Sequence, residues 1–122
     1  MDKDVLARAE AIAPVVHEAL SAFARTLGEP GFPAWADAPD WMREATLDGV
    51  VFRLRAPHAS LAAQHDRWTA HMAADGWKPG PVKDAEAKTH PMMTPYDALP
   101  EAEKRKDALF AAVVDALAGP LG

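Results

Sequence analysis

The sequence predicts a small, mainly α-helical domain with at most a short two-stranded ribbon. Several stretches place apolar residues three and four positions apart, which is the spacing of one face of an α-helix. The intervals between them are rich in proline, which neither a helix interior nor a central strand tolerates. A length of 122 residues is one domain's worth of chain, enough to bury roughly two thirds of its unfolded surface around a single core.

The composition, with 49% hydrophobic and 25% charged residues, is typical of a globular protein. A formal net charge of -5 offers no overall basic surface, so neither nucleic acid nor a membrane is expected as a partner. The chain has no cysteine, which excludes disulfides and thiolate metal sites. Its first residues do not resemble a secretory signal, and no stretch suits a transmembrane span, so we expect a soluble, cytoplasmic protein.

The first helix is predicted near residues 4–27, where apolar residues follow the helical spacing. Pro14 removes a backbone donor from its interior, so we expect a kink or a fresh start there. Gly28 suits the left-handed conformation that ends many helices. His17 and Glu18 are assigned to the solvated face, because polar side chains on a helix are mostly exposed.

Residues 28–40 contain three prolines and two glycines, which favours an ordered, extended crossing over the helices. Phe32 and Trp35 are large apolar anchors that a flexible linker would not need. Asp40 is a suitable N-cap for the helix that follows.

A second helix is predicted over residues 40–55, although residues 50–55 also alternate like a short strand. Gly49 costs about 1 kcal/mol relative to alanine in a helix interior, so it is expected to let another element approach closely. The third helix is predicted over residues 60–75 and ends at Gly76.

The four prolines between Trp77 and Tyr96 exclude long regular structure there. A two-stranded ribbon could pair residues near Val82 with residues near His90. The last helix is predicted over residues 101–118. Across the chain, five residues are expected to be largely buried: Trp35, Trp41, Phe52, Phe110 and Val114.

Residues 65–110 contain short motifs in a dense order. They are HDRW at 65–68, GW at 76–77, GPVKD at 80–84, KTHP at 88–91, PYDALP at 95–100 and EKRKD at 103–107. Together they resemble the RyR domain, the repeat first named from ryanodine receptors. Upstream, HEALSAFARTLG, PAWADAPDWMRE and DGVVFRL resemble the single-repeat RyR proteins of bacteria and their phages.

The resemblance implies a mainly helical single domain over residues 1–122. Residues 1–30 would be an N-terminal helical extension and residues 31–122 the RyR-like repeat. The chain departs from the family at GWKPG, where Pro79 replaces the aromatic residue usual in G-W-x-Y-G. Pro79 cannot supply the aromatic ring that the family motif provides at this position.

The resemblance also implies a non-enzymatic binding module. In paired repeats, the tryptophans of an H-x-x-W motif are thought to stack a planar, adenine-nucleotide-like ligand, and Trp68 holds that position here. Nearby lysines would supply positive charge for phosphates. The candidate ligand-binding residues are His65, Trp68, Trp77, Lys78, Lys83, Lys88, His90 and Tyr96.

The same residues also fit a core and a solvated loop, so the alternative is a structural or protein-interaction domain of phage or prophage origin without a small ligand. The spacing of His58, His65 and His71 does not match a metal site on a helix face, and no catalytic motif is present, so we expect neither a metal, a cofactor nor an enzyme.

Two further expectations concern this region. His90 and the Tyr96 hydroxyl should hydrogen-bond backbone groups that the neighbouring prolines leave without regular partners. Because tandem repeats face each other, a single-repeat chain is expected to form a twofold homodimer through the face that bears Trp68.

Overall fold

The computed structural model describes residues 3–119, which form four helices joined by irregular segments. The helices are α1 (Lys3–Thr26), α2 (Asp40–Arg55), α3 (Leu61–Ala74) and α4 (Glu101–Ala118). The strands β1 (Lys78–Pro79) and β2 (Thr89–His90) form a parallel pair, and 3-10 turns lie at Trp35–Asp37 and Tyr96–Ala98. The predicted fold class and all four predicted helices are confirmed. No helix within residues 3–119 is both long and apolar enough to cross a bilayer.

The main core lies where α1, α2 and α4 meet. Its buried members are alanines, valines and one isoleucine, all small or β-branched, which lets the three helices approach closely. They are Ala9, Ile12, Ala13, Val16, Val50, Val51 and Val114. A second cluster joins α3 to the segments that follow it, and its buried members are Met72, Trp77 and Met93.

The expected fresh start at Pro14 is wrong, because α1 runs through the proline as one helix. Ile12, Ala13 and Val16 on either side of the proline are all buried in the main core. Packing of this apolar face on both sides of Pro14 offsets the lost backbone hydrogen bond.

The ends of two helices follow the predicted glycines. Gly28 after α1 and Gly76 after α3 have φ angles of +85° and +90°, the left-handed conformation that glycine adopts without steric cost. The start of α2 differs from the prediction, because Pro39 is the N-cap and Asp40 is the first helical residue. The Asp40 carboxylate accepts a hydrogen bond from Arg43 at 2.9 Å instead.

Residues 27–39, the crossing segment, are fixed to α1 by three side chains. The bonds are His17 Nε2–H to the Pro33 carbonyl at 2.7 Å, the Phe32 amide to Ser21 Oγ at 2.8 Å, and the Trp35 amide to Glu18 Oε2 at 2.9 Å. His17 is buried, with 2% exposure, so its assignment to the solvated face is wrong. The expected ordered crossing is present.

The predicted ribbon is present, but its strand pair involves β1. Lys78 lies opposite Thr89, in a parallel register, whereas Val82 is 65% exposed. Residues near Val82 and near His90 meet as predicted only in an isolated antiparallel bridge between Asp84 and Thr89. Pro79 and Pro81 have no amide hydrogen, so over residues 78–81 only the amides of Lys78 and Gly80 can donate. These amides donate to the carbonyls of Lys88 and His90, at 2.9 and 3.4 Å, and set the register.

Of the five residues expected to be largely buried, Val114 is fully buried and none is exposed. The four aromatic residues Trp35, Trp41, Phe52 and Phe110 are all half-buried. Trp41 and Phe110 are not covered further because each borders the cavity described below.

Arg53 fixes the turn between α2 and α3. Only 5% of this residue is exposed. Its guanidinium donates to the carbonyls of Ala59 and Pro57, at 2.8 and 3.1 Å, and to the Asp115 carboxylate at 3.0 Å. One planar side chain thereby satisfies two loop carbonyls and joins α2 to α4.

The Arg53→Lys variant should therefore lose about 1–3 kcal/mol of unfolding free energy, because one ammonium group cannot reach all three acceptors in this geometry. Urea unfolding measures the change. Arg55→Lys, which makes the same substitution at an exposed position of the same helix, is the control and should remain near wild type. Equal stability of the two variants would contradict this role for Arg53.

Candidate functional site

A cavity of about 360 Å³ lies between the four helices, the crossing segment and the loop that joins β1 to β2. Its wall is mostly apolar, with charged groups at some points. It is lined by His17, Leu20, Glu29, Phe32, Trp41, Met42, Ala45, Thr46, Gly49, Gln64, His65, Trp68, Lys83, His90, Pro91, Met92, Leu99, Glu103, Lys106, Asp107 and Phe110. Its volume falls in the range of small-molecule sites.

Aromatic rings form much of the apolar wall. Phe32 comes from the crossing segment, Trp41 from α2, Trp68 from α3 and Phe110 from α4. A β-carbon on Gly49 would lie 2.9 Å from Phe110 Cζ, so the glycine allows α4 to bring this ring against α2. The predicted close approach at Gly49 is confirmed.

His65 holds Trp68 in place. The imidazole is buried and lies against the indole, with ring centroids 5.6 Å apart and planes 27° from parallel. Its Nε2 lies 2.7 Å from the Thr94 carbonyl. A carbonyl can only accept, so Nε2 carries the proton in this bond. The bond also ties the proline-rich segment before α4 to α3.

Lys83 places a cation over the aromatic wall. Although much of this residue is exposed, its Nζ lies 5.5 Å from the Trp41 ring centroid and 5.8 Å from that of Phe32. Both distances permit cation–π attraction. Burial and the neighbouring Lys106 cation lower the pKa of Lys83, while Glu103 opposes that shift. Across residues 3–119, Lys83 pairs with no carboxylate within 4.0 Å.

The positive charge of Lys106 is paired with carboxylates, in contrast to that of Lys83. Its ammonium group lies 2.7 Å from both Glu29 Oε1 and Glu103 Oε2. Burial lowers the pKa of Lys106, but the hydrogen bonds to Glu103 and Glu29 outweigh it, and the pKa is raised overall. This network joins α4 to the crossing segment and leaves Lys83 as the cavity's unpaired cation.

Asp107 is a partly buried carboxylate beside these groups. Burial raises its pKa to about 6, and Glu103 adds to the shift, while His65 and Lys106 oppose it. Its Oδ2 lies 3.7 Å from His65 Nδ1, which exceeds hydrogen-bond distance. The Asp107 carboxylate is therefore poorly solvated, and its negative charge is only weakly offset by nearby cations.

His90 closes the cavity on the ribbon side. Its Nδ1 accepts a hydrogen bond from the Met92 amide at 3.1 Å, which confirms the expected bond to the backbone. Burial, Lys83 and His65 lower the pKa of His90 to about 4. The matching expectation for Tyr96 is wrong, because its hydroxyl has no hydrogen-bond partner within residues 3–119. The Tyr96 ring instead lies beside His65 and under Lys104.

The cavity brings together four of the eight predicted site residues: His65, Trp68, Lys83 and His90. The other four lie outside its lining. Trp77 is buried against Trp41, with ring centroids 4.7 Å apart, and Lys78 is exposed on β1. Lys88 donates to the Asp75 carbonyl at the end of α3, at 2.6 Å.

Sequence reasoning missed several cavity residues. Among the polar ones are Glu29, Gln64, Lys106 and Asp107. The last two belong to the EKRKD motif, where the charge pattern alone resembles an ordinary solvated helix face. Only the packing of α4 against α1 and α3 shows which of these charges point inward.

The sequence model of the RyR domain matches residues 52–116, just over half of the chain. The chain belongs to the RyR domain family. The matched part supplies Gln64, His65, Trp68 and the inward face of α4. Nine lining residues, from His17 to Gly49, precede the match. The cavity is therefore formed between the RyR domain match and the N-terminal part of the chain.

The pKa values of Asp107 and His90 predict opposing pH effects on stability. The folded-state pKa of Asp107, about 6 against an ordinary 3.8, lowers stability as pH rises between these values. The folded-state pKa of His90, about 4 against 6.5, raises stability over pH 4–6.5. The two contributions largely cancel in the wild-type protein.

In Asp107→Asn only the His90 contribution remains, so the variant should gain stability relative to wild type as pH rises from 4 to 6. His90→Asn, which keeps a possible acceptor for the Met92 amide, should change in the opposite direction. Each difference should be on the order of 1 kcal/mol after solvent screening. Urea unfolding at intervals of pH measures both, and two parallel profiles would contradict the assignment.

Proposed function

We propose that this RyR domain is a non-enzymatic binding module that holds a nucleotide-like planar anion in the cavity. The observation that carries the proposal is the unpaired Lys83 ammonium group over the aromatic wall. A planar ring needs apolar faces and an anion needs a cation. The cavity offers both within one volume of about 360 Å³.

The aromatic wall supports a planar ligand. Phe32, Trp41, Trp68 and Phe110 present rings from four different parts of the chain. Base stacking on such rings contributes about 1–3 kcal/mol per base and tolerates different bases. Trp68 is also held by His65 and, edge to face at 4.9 Å, by His90. A ring fixed in this way loses little side-chain entropy when a ligand binds.

The charges support an anion at Lys83. Glu29 and Glu103 already neutralise Lys106, so an added phosphate would gain most from Lys83. The neighbouring cation and partial burial both disfavour the charged form of Lys83. A bound phosphate would relieve that cost through a charge-assisted hydrogen bond.

Two of the cavity's imidazoles act as positioning groups in this proposal, because His65 is bonded to the Thr94 carbonyl and His17 to the Pro33 carbonyl. Dimerisation through the Trp68 face stays a separate prediction.

The test compares nucleoside monophosphates with the matching nucleosides, which lack the anion. Nucleotides should raise the unfolding midpoint in a concentration-dependent manner, because they bind the native state. Calorimetry should show that Lys83→Met weakens nucleotide binding roughly tenfold, or about 1.4 kcal/mol. Nucleoside binding should be almost unchanged, since methionine keeps the apolar stem over the rings.

Lys78→Met is the matched control, because Lys78 lies on β1 outside the cavity. It should bind both ligand classes as wild type does. Equal losses in the two lysine variants would assign the effect to overall charge and contradict the role of Lys83. The absence of any binding would favour a structural or protein-interaction domain.

A further inference from the structure

One of the two cations of the cavity is paired by a carboxylate from outside its own helix. Lys106 Nζ lies 2.7 Å from both Glu103 Oε2 and Glu29 Oε1. Glu103 precedes Lys106 by one turn of α4, whereas Glu29 belongs to the crossing segment. The Glu29 and Lys106 side chains are 41% and 14% exposed, so solvent reaches this pair at the cavity wall.

Glu29 is held in position by the turn that ends α1. Its amide donates to the Ala24 carbonyl at 3.1 Å, and the Gly28 amide donates to the Arg25 carbonyl at 3.1 Å. With Gly28 in the left-handed conformation, these bonds form a common ending of an α-helix. The backbone of Glu29 is therefore fixed before any ligand binds.

The charged lining of the cavity contains more carboxylates than ammonium groups. Lys83 and Lys106 are the cations, and Glu29, Glu103 and Asp107 are the carboxylates. Burial raises the pKa of Asp107 to about 6, so this group is also mostly ionised above neutral pH. Because Glu29 and Glu103 pair Lys106, the lining leaves a ligand one cation, Lys83.

This charge balance distinguishes the two common forms of a nucleoside phosphate. A phosphomonoester carries roughly 1.5 to 2 negative charges at pH 7, because its second pKa is about 6. A phosphodiester carries a single charge, which Lys83 can pair. The second charge of a monoester would find no cation and would add to an excess of carboxylates in a poorly solvated site, which is unfavourable.

We propose that Glu29, by pairing Lys106, makes the cavity select a singly charged phosphodiester of a nucleoside over the doubly charged phosphomonoester. The inference rests on the proposed function and names the class of phosphate that the same cavity prefers. Glu29 precedes the RyR domain match at residues 52–116. The N-terminal part of the chain therefore adds this selectivity to the RyR domain.

Calorimetry with adenosine monophosphate and its methyl phosphate ester tests the inference. The two ligands share the base, the ribose and the position of the phosphate, and differ by one methyl group and one charge. At a pH of about 7.5, wild-type protein should bind the methyl ester about tenfold more tightly, the size of one uncompensated charge interaction near a protein surface.

A pH series separates charge from shape. At a pH of about 5 both ligands carry one charge, so Asp107 and the lining histidines, His17, His65 and His90, affect them alike. The two affinities should therefore converge as pH falls. A preference for the methyl group itself would persist.

Glu29→Gln removes the charge and keeps an acceptor for Lys106. It frees a second cation, so it should tighten adenosine monophosphate about tenfold and the methyl ester about threefold or less, which largely removes the preference. Glu101→Gln is the matched control, because it makes the same change at an exposed position of α4 outside the cavity lining. It should keep the wild-type preference.

The outcomes separate this inference from the proposed function. Equal or tighter binding of adenosine monophosphate by wild-type protein at the higher pH, a preference that does not change with pH, or a wild-type preference in Glu29→Gln would overturn the selectivity while leaving a nucleotide site. Failure of both ligands to bind would overturn the proposed function as well.

Discussion

Two buried imidazoles fix the proline-rich irregular segments of this protein to its helices. His17 on α1 donates to the Pro33 carbonyl and His65 on α3 donates to the Thr94 carbonyl, both at 2.7 Å. Proline-rich segments have few backbone donors of their own, so they depend on side chains for their position. Each imidazole also lies against aromatic rings, His17 beside Phe32 and His65 beside Trp68.

Side-chain size separates the main core from the cavity. Small residues let α1, α2 and α4 pack closely in the main core, whereas large aromatic side chains surround the cavity. Phe110 reaches its place only because Gly49 offers no side chain. The crossing segment then adds Phe32 and Glu29 from outside the matched RyR domain. The aromatic wall and the charge network around Lys106 therefore both depend on how α4 and the crossing segment pack against the other helices.

The helices could be predicted because their signals are local. Apolar spacing defined all four, and Gly28 and Gly76 marked two of their ends. The cavity could be predicted only in part, through His65 and Trp68 on one helix face and through Lys83 and His90. The rest of its lining depends on which face of each helix packs against another helix, as with Asp107 and Lys106 on α4. No local pattern distinguishes those residues from solvated charges.

The central claim is that the aromatic-walled cavity is a ligand site, and the four tryptophans test it directly. Trp41 and Trp68 line the cavity, whereas Trp35 lies outside it and Trp77 is buried behind Trp41. Titration with a nucleoside monophosphate, followed by NMR of the indole N–H signals, should shift Trp41 and Trp68 most and leave Trp35 unchanged. Unmoved signals for Trp41 and Trp68, or a shift greatest at Trp35, would contradict the account.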